Sequence, residues 1–568
     1  MKLSVTNLIV ILSGLLLLVI SASIPIARFA QTPPGQVYGG HQFYTDDYNA
    51  YAQTIRQGLD GRWTVVDKFT SEPHSSSLFR IFYLTLGKTI GFFTTPFAKL
   101  ANIEPTALVY HLSRLLLAIV LLVVIWQFLG QILFQGPPIV KLSAWLLILF
   151  ANVWPKDLSA IFSLPWDWQM LLPHFREPEV TTRFFSQPHY LAGFLIAFLI
   201  LTALIKHLDR QIPTKTISAV FVLAFLGSWI EPTPIVLLSA TLWIYAGLLL
   251  LVFYDRSQLW QKVKSVAITA LAVTLSLIPA TLYYQTLRQQ PPWSNNSLYE
   301  SLQDFYLSPV QLLPIFGLPL IFGLIGLALS LKEKKGLIRW EVTLLLFSLI
   351  IAFFLLFYPL APLAMINRLR IFRQPVFVIF DIFAAVAIYQ LGQKVARLKF
   401  FPSVTRLSVS QIFITIMLIL IILPGLPSAM AFFRDQLLEY RKIPSFAYPP
   451  VENLQAFKWL ETNTPRDSAV AALYEAGSLI PQFSGNTSYL GNVVETINFS
   501  QKTDLLGRFY SGQISPDQAK QFLTDGRINY LYWGFQERSL GGNPLSYNFV
   551  KEVYSNPKVT IFQVSSSN

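Results

Sequence analysis

The sequence predicts a polytopic α-helical membrane protein of about eleven transmembrane helices with a small α/β domain at its C-terminal end. Three observations predict it. Of 568 residues, 53% are hydrophobic and only 13% charged, about half the charge of an ordinary soluble domain. Several apolar runs, among them Asn7–Ala27 and Leu115–Phe134, exceed the roughly 18 to 20 residues that cross a bilayer as a helix. Between such runs Lys and Arg recur after every second span: Lys206/Arg210/Lys215, Arg256/Lys262/Lys264, Lys332/Lys334/Lys335/Arg339 and Lys394/Arg397/Lys399/Arg406. That recurrence is the positive-inside pattern, which places those loops in the cytoplasm.

Hydropathy puts the spans near 5–28, 107–134, 140–154, 188–206, 216–231, 233–254, 265–287, 309–331, 340–358, 375–394 and 409–432. The first apolar run is longer than the roughly 7 to 15 residues of a signal-peptide core, so it reads as an uncleaved span with its N-terminus inside. An odd number of spans then puts the C-terminal segment outside. The outer loops become 29–106, 155–187, 288–308 and 359–374, long and aromatic where the inner ones are short and basic.

The domain reading is a membrane domain over 1–432 and an extracytoplasmic α/β domain over 433–568. In the first outer loop, Tyr48, Tyr51, Ile55 and Leu59 recur at helical spacing, which predicts an amphipathic helix lying on the membrane. Gly58 and Gly61 end it. Leu78–Leu100 is apolar but carries Arg80, Lys88 and Lys99, and reads as one or two interfacial helices or a further span. In the tail, helices are expected over Val451–Thr462, Gln501–Tyr510 and Pro516–Thr524, and strands over Ala469–Leu473, Asn529–Trp533 and Val559–Val564.

The formal charge of +13 does not signal nucleic acid, because it sits in the inner loops rather than on one face. The chain has no Cys, which removes disulfides, Cys-ligated metals and thiol nucleophiles. The second outer loop holds Asp157, Asp167, His174, Glu177, Glu179 and Arg183, and His189 opens the next span. A divalent metal there has no strong ligand spacing behind it.

Several short motifs stand out: Asp47-Tyr-Asn-Ala-Tyr51, Gln57-Gly-Leu-Asp-Gly-Arg-Trp63, Ser71-Glu-Pro-His74, Ser186-Gln-Pro-His189 and Asn367-Arg-Leu-Arg370. Ser484-Gly485, Tyr489-Leu-Gly491 and Glu495-Thr496 join them in the tail. With the acidic pair Asp46-Asp47 in a first outer loop, they resemble an uncharacterised bacterial branch of the GT-C superfamily of polytopic, polyprenyl-phosphate-sugar-dependent glycosyltransferases. The resemblance runs over nearly the whole chain through short, degenerate motifs.

The resemblance implies an enzyme of the bacterial inner membrane that moves a sugar, with inversion, from a polyprenyl-phosphate donor to an envelope acceptor. It places the base in the first outer loop, at Asp47 or Asp46. A base must reach the attacking hydroxyl directly, whereas an Asp here also suits a helix cap. Arg368, Arg370 and Arg373, expected on the outer side against the positive-inside trend, suit a donor phosphate through their planar forks. Membrane headgroups are the competing anion. Glu72, His74, Arg183, His189 and Glu231 are candidates to line the cavity. A lipid-linked-sugar transporter or flippase, and a non-catalytic scaffold whose tail binds envelope proteins, are the rival readings.

Overall fold

The computed structural model describes residues 4–41, 45–101, 103–151, 153–154, 184, 186–252, 256–302, 304, 306–333, 336–361, 367–398, 406–438, 447–544 and 547–565. The second outer loop, with Asp157, Asp167, His174, Glu177, Glu179 and Arg183, lies outside them. The chain divides into two compact units: residues 1–23, 114–281 and 303–435 form one, and 24–113, 282–302 and 436–568 form the other.

The chain is a multi-pass helical membrane protein. Among the described residues, eight helices are long and apolar enough to cross a membrane. A bent pair, Pro309–Phe316 and Leu318–Lys332, makes a ninth if counted as one span. Shorter apolar helices, Pro138–Phe150 and Thr214–Ile230, stand where two further spans are expected. The bent pair turns by 103° at Gly317, whose φ of 63° suits a residue without a Cβ.

In the first unit the segment Arg368–Ala396 is almost wholly enclosed by its neighbours. Gly323 and Gly326, one turn apart on Leu318–Lys332, bring that helix against it: a Cβ at Gly326 would stand 1.9 Å from the Phe383 carbonyl oxygen. Only glycine permits backbones this close.

The second unit is built on a five-stranded sheet of β1 (Ala469–Ala471), β2 (Thr487–Ser488), β3 (Ile528–Trp533), β4 (Val550–Ser555) and β5 (Thr560–Val564), in the order β2-β1-β3-β5-β4. β1 pairs in parallel with β2 and β3, while β5 lies antiparallel to β3 and β4. One apolar cluster, with Leu506, Phe509 and Phe522, and another, with Phe457, Leu479 and Ile480, bury sheet residues of alternating direction.

Helix Thr45–Leu59 is where expectation fails. It does not lie on a surface with one face free. Tyr48 through Ile55, together with Gln57 and Gly58, are all buried. It packs against helix Ile81–Ala101 on one side and helix Tyr474–Phe483 on another. Its polar residues tolerate burial because they are bonded: Gln57 donates to the Val66 carbonyl and accepts from the Val66 N–H, and Asn49 Oδ1 meets His41 Nε2 at 2.7 Å. Gly58 and Gly87 let the two helices touch, since a Cβ on either would stand 2.2 Å from a carbonyl oxygen of the other.

Candidate functional site

The acidic pair sits inside the first turn of helix Thr45–Leu59, where backbone N–H groups favour negative charge. Its surroundings come from both ends of the second unit. Tyr474, at the start of its helix, donates its hydroxyl to Asp46 Oδ1 at 2.6 Å. Asn492 donates its amide to the Asp46 carbonyl at 2.8 Å, while its Oδ1 accepts the N–H groups of Val494 and Glu495. One side chain thus fixes the start of the acidic helix and the turn that presents Glu495.

Arg80 is the cation of this centre. It adopts a left-handed backbone, φ 58°, immediately before helix Ile81–Ala101, a conformation that is strained for a residue with a Cβ. Its guanidinium pairs with Glu495 Oε1 and lies 4.7 Å from the Phe79 ring centroid. Burial works against the charge of Arg80, but Glu495 and, more weakly, Asp47 outweigh it and hold the guanidinium above its usual range.

The carboxyls respond in the opposite sense. Burial raises Asp46, opposed by the Tyr474 hydroxyl and reinforced by Asp47. Burial raises Glu495 despite Arg80, with Asp47 and Asp46 adding to it. Asp67, fully buried, is pushed well up by burial and then by Glu495. Asp67 Oδ1 accepts the Phe69 N–H, while its Oδ2 and Glu495 Oε2 are buried without a hydrogen-bond partner. The result is a carboxyl centre, with Asp67 and Glu495 buried and Asp46 and Asp47 half-buried, in which each acid raises its neighbours' affinity for a proton.

Glu72 and His74 flank it. Glu72 pairs with Lys502 Nζ at 2.7 Å and accepts the Thr70 hydroxyl. These partners hold it below the ordinary carboxylate range even though burial opposes them. His74 accepts the Asp67 N–H through Nε2 at 3.0 Å, and its Nδ1 meets the Glu72 carbonyl at 2.8 Å, which makes Nδ1 the donor. His74 therefore ties the loop that carries Asp67. Among the described residues no group of three or more His, Asp or Glu is arranged to hold a metal ion.

The arginine cluster belongs to the first unit. Asn367 caps the short helix Arg368–Phe372 by accepting the Leu369 N–H at 2.7 Å. Arg368 pairs with Asp304 and donates to the Phe357 carbonyl at 3.1 Å. Arg370 stands 3.5 Å from Glu231 Oε2, which His189 Nε2 approaches at 3.9 Å. Arg373 donates to the Tyr190 hydroxyl and lies over its ring. Glu231 is buried where one helix ends and Pro232 opens the next, and Gly193 makes room for it: a Cβ there would stand 2.9 Å from that of Glu231. The cluster thus brings together Arg368, Arg370, Arg373, His189 and Glu231, but each arginine already has a protein partner.

Arg80, Glu495, Asp67, Tyr474 and Asn492 did not emerge from the sequence as site residues. Two signals were readable. Arg80 is a charge at the head of an apolar stretch, and Glu495-Thr496 is one of the tail motifs.

A scan against protein-family models gives no match, and a search of curated proteins gives none either. Among solved structures, the chain is similar to the archaeal oligosaccharyltransferase AglB from Archaeoglobus fulgidus in complex with an inhibitory peptide and a dolichol-phosphate. Identity there is 13% and the TM-score 0.48, over 98% of this chain and 74% of that one. It is also similar to ArnT from Cupriavidus metallidurans in the apo state, at 12% identity and TM-score 0.43, over 96% of this chain and 97% of that one.

Proposed function

We propose that the chain is a GT-C-type glycosyltransferase that moves a sugar from a polyprenyl-phosphate donor to an envelope acceptor, on the outer face of a bacterial cytoplasmic membrane. The observation that carries the reading is the carboxyl centre of half-buried Asp46 and Asp47 with buried Asp67 and Glu495, and Arg80 as its cation. Such a centre is poised to take a proton. In transfer, the acceptor hydroxyl attacks the anomeric carbon, its proton passes to Asp47, and the sugar–phosphate bond breaks with its electron pair on the phosphate oxygen. A single displacement inverts the anomeric centre. Asp46, held through Tyr474 and Asn492, orients the helix start.

The departing phosphate needs positive charge to stabilise it as it forms. Within the first unit, Arg370 and Arg373 are candidates to bind a phosphate, because it can compete with Glu231 and the Tyr190 hydroxyl for their forks. The experiment is transfer of labelled sugar from a polyprenyl-phosphate donor by the purified chain. Asp47→Asn is expected to fold normally and to lose transfer by at least about a hundredfold, the usual scale for a general base. Wild-type transfer by that variant would remove Asp47 as the base.

A transporter reading has one observation behind it, the helix broken at Gly317. Transporters usually carry such breaks in corresponding positions of two halves. Among the described residues this is the one strongly bent pair.

A further inference from the structure

We propose that the second unit holds a membrane phospholipid in a groove between helices Thr45–Leu59 and Ile81–Ala101, and that the far end of Ile81–Ala101 dips into the hydrocarbon. The groove is shallow and open, holds about 750 Å³ and is lined by Gly58, Gly87, Gly91, Trp63, Lys88 and Phe92 among others. Phe92, Phe93 and Phe97 are 76%, 69% and 67% exposed, and Trp63 is 78% exposed. No ionisable residue lies between Lys88 and Lys99.

Two further observations favour lipid as the occupant. The threonines of this helix turn their hydroxyls onto its own backbone: Thr85 to Ile81, Thr89 to Thr85, Thr94 to Ile90 and Thr95 to Gly91. Of these, Thr89 and Thr95 lie beyond Lys88 and are not buried, and polar groups facing hydrocarbon must be satisfied internally in this way. Among the described residues that line the groove, Lys88 is the one cation. Lys88 donates to the Gly61 carbonyl at 2.8 Å and sits 4.0 Å from the Trp63 ring centroid. An indole and an ammonium at one level form the usual headgroup collar. One shared ammonium complements the single negative charge of a phosphodiester. Membrane phospholipids are the abundant phosphodiesters of a bilayer and carry that charge, so the occupant is a bulk phospholipid.

The site touches the same helix that carries Asp46 and Asp47, about 17 Å away at 1.5 Å per residue. The inference does not depend on the transfer reading, and its test reads no transfer. Because the native chain has no Cys, single cysteines can be introduced cleanly into the full-length protein. Phe93→Cys and Phe97→Cys, with Lys458→Cys as an aqueous reference, are spin-labelled in phosphatidylcholine nanodiscs with and without phosphatidylglycerol. The first two labels are expected to be relaxed by dissolved oxygen and shielded from an aqueous nickel chelate, and the third to show the reverse. Nickel access at Phe93 equal to that at Lys458 would overturn the insertion. Native mass spectrometry of protein released from the nanodiscs then tests the groove. Wild type should retain a phospholipid and Lys88→Glu should lose it. Retention by both, or a bound polyprenyl phosphate in its place, would overturn the assignment.

Discussion

Removing the charge of Arg80 is the sharpest test of the carboxyl centre. Arg80→Met keeps a Cβ at φ 58°, so the backbone strain stays and the change falls on the ion pair. Breaking one side of a buried pair costs about 3–5 kcal/mol, because the partner is left charged and desolvated. Glu495 is 1% exposed and is that partner. It has a way out, since burial and the nearby acids already push its carboxyl up and it can take a proton instead. The penalty is therefore pH-dependent. It should stand near about 4 kcal/mol at pH 8 and fall to roughly 1 kcal/mol near pH 5, as protonation removes the stranded charge. Hydrogen exchange reads this locally, at the amides of Ser488, Gly491 and Thr496, which bond to Lys68, to the Thr496 hydroxyl and to Asn492. Corrected for intrinsic rates, exchange there should quicken by about a thousandfold at pH 8 and by about tenfold at pH 5, at about 1.4 kcal/mol per decade. Adding Glu495→Gln should recover about 2 kcal/mol at the higher pH, a coupling that neither variant shows alone. Equal acceleration at both pH values, or additive effects in the double variant, would refute the charge argument.

Two further predictions follow from local geometry. Glu537, buried and accepting the N–H groups of Leu473 and Gly534, has its carboxyl raised by burial from 4.5 to about 7. Because the folded form holds the proton more tightly, its contribution is present below about pH 4.5 and is lost as pH rises through about 7. Hydrogen exchange at those two amides should therefore speed up over that window in wild type, by at most about 3 kcal/mol, and stay flat in Glu537→Gln. Gly87→Ala drives a Cβ to within 2.2 Å of the Ile55 carbonyl, whereas Gly61→Ala meets nothing within 4 Å and suffers only from its φ of 88°. The first should cost about 2–3 kcal/mol and the second about 1 kcal/mol, ordered by thermal unfolding of the purified proteins.

How far the fold was legible follows from what each signal depends on. Span positions rest on long apolar runs, which depend on nothing distant, and the helices at 105–132, 188–205 and 340–357 stand where hydropathy puts them. In the tail, β1, β3 and β5 were readable as short apolar runs. β2 is two residues long, and β4, Val550-Lys-Glu-Val-Tyr-Ser555, is an edge strand whose charges hide it. Helix Tyr474–Phe483 was missed because Gly477 and Pro481 weaken its local signal, although it packs on the acidic helix. The same helix explains the error over Thr45–Leu59. Its apolar stripe is real, but the polar residues beside it are buried by a segment more than 400 residues later, which periodicity cannot report. The arginine cluster was local in sequence and was found, while the partners of its guanidiniums, Asp304, Glu231 and Tyr190, lie on other elements and were not matched to them.

The same dependence on distant segments gives the carboxyl centre its chemistry. Asp46 meets Tyr474 across 428 residues and Arg80 meets Glu495 across 415, so neither the first loop nor the tail makes the centre alone. Once they meet, Asp46, Asp47, Asp67 and Glu495 share one neighbourhood with Arg80, and Lys502, already paired to Glu72, adds little. Negative charge is in surplus. At an effective dielectric near 20, two carboxylates roughly 6 Å apart repel by on the order of 2–3 kcal/mol, about two units of proton affinity. A proton arriving at any one of them relieves that repulsion, and this favours proton uptake by the centre as a whole. Arg80 sets the limit. Without it Glu495 and Asp67 would hold their protons more tightly still, which works against a base. With two or more such cations they would be ordinary carboxylates with little appetite for a proton. A single guanidinium among these acids leaves the centre between those extremes, which is the condition the proposed general base requires.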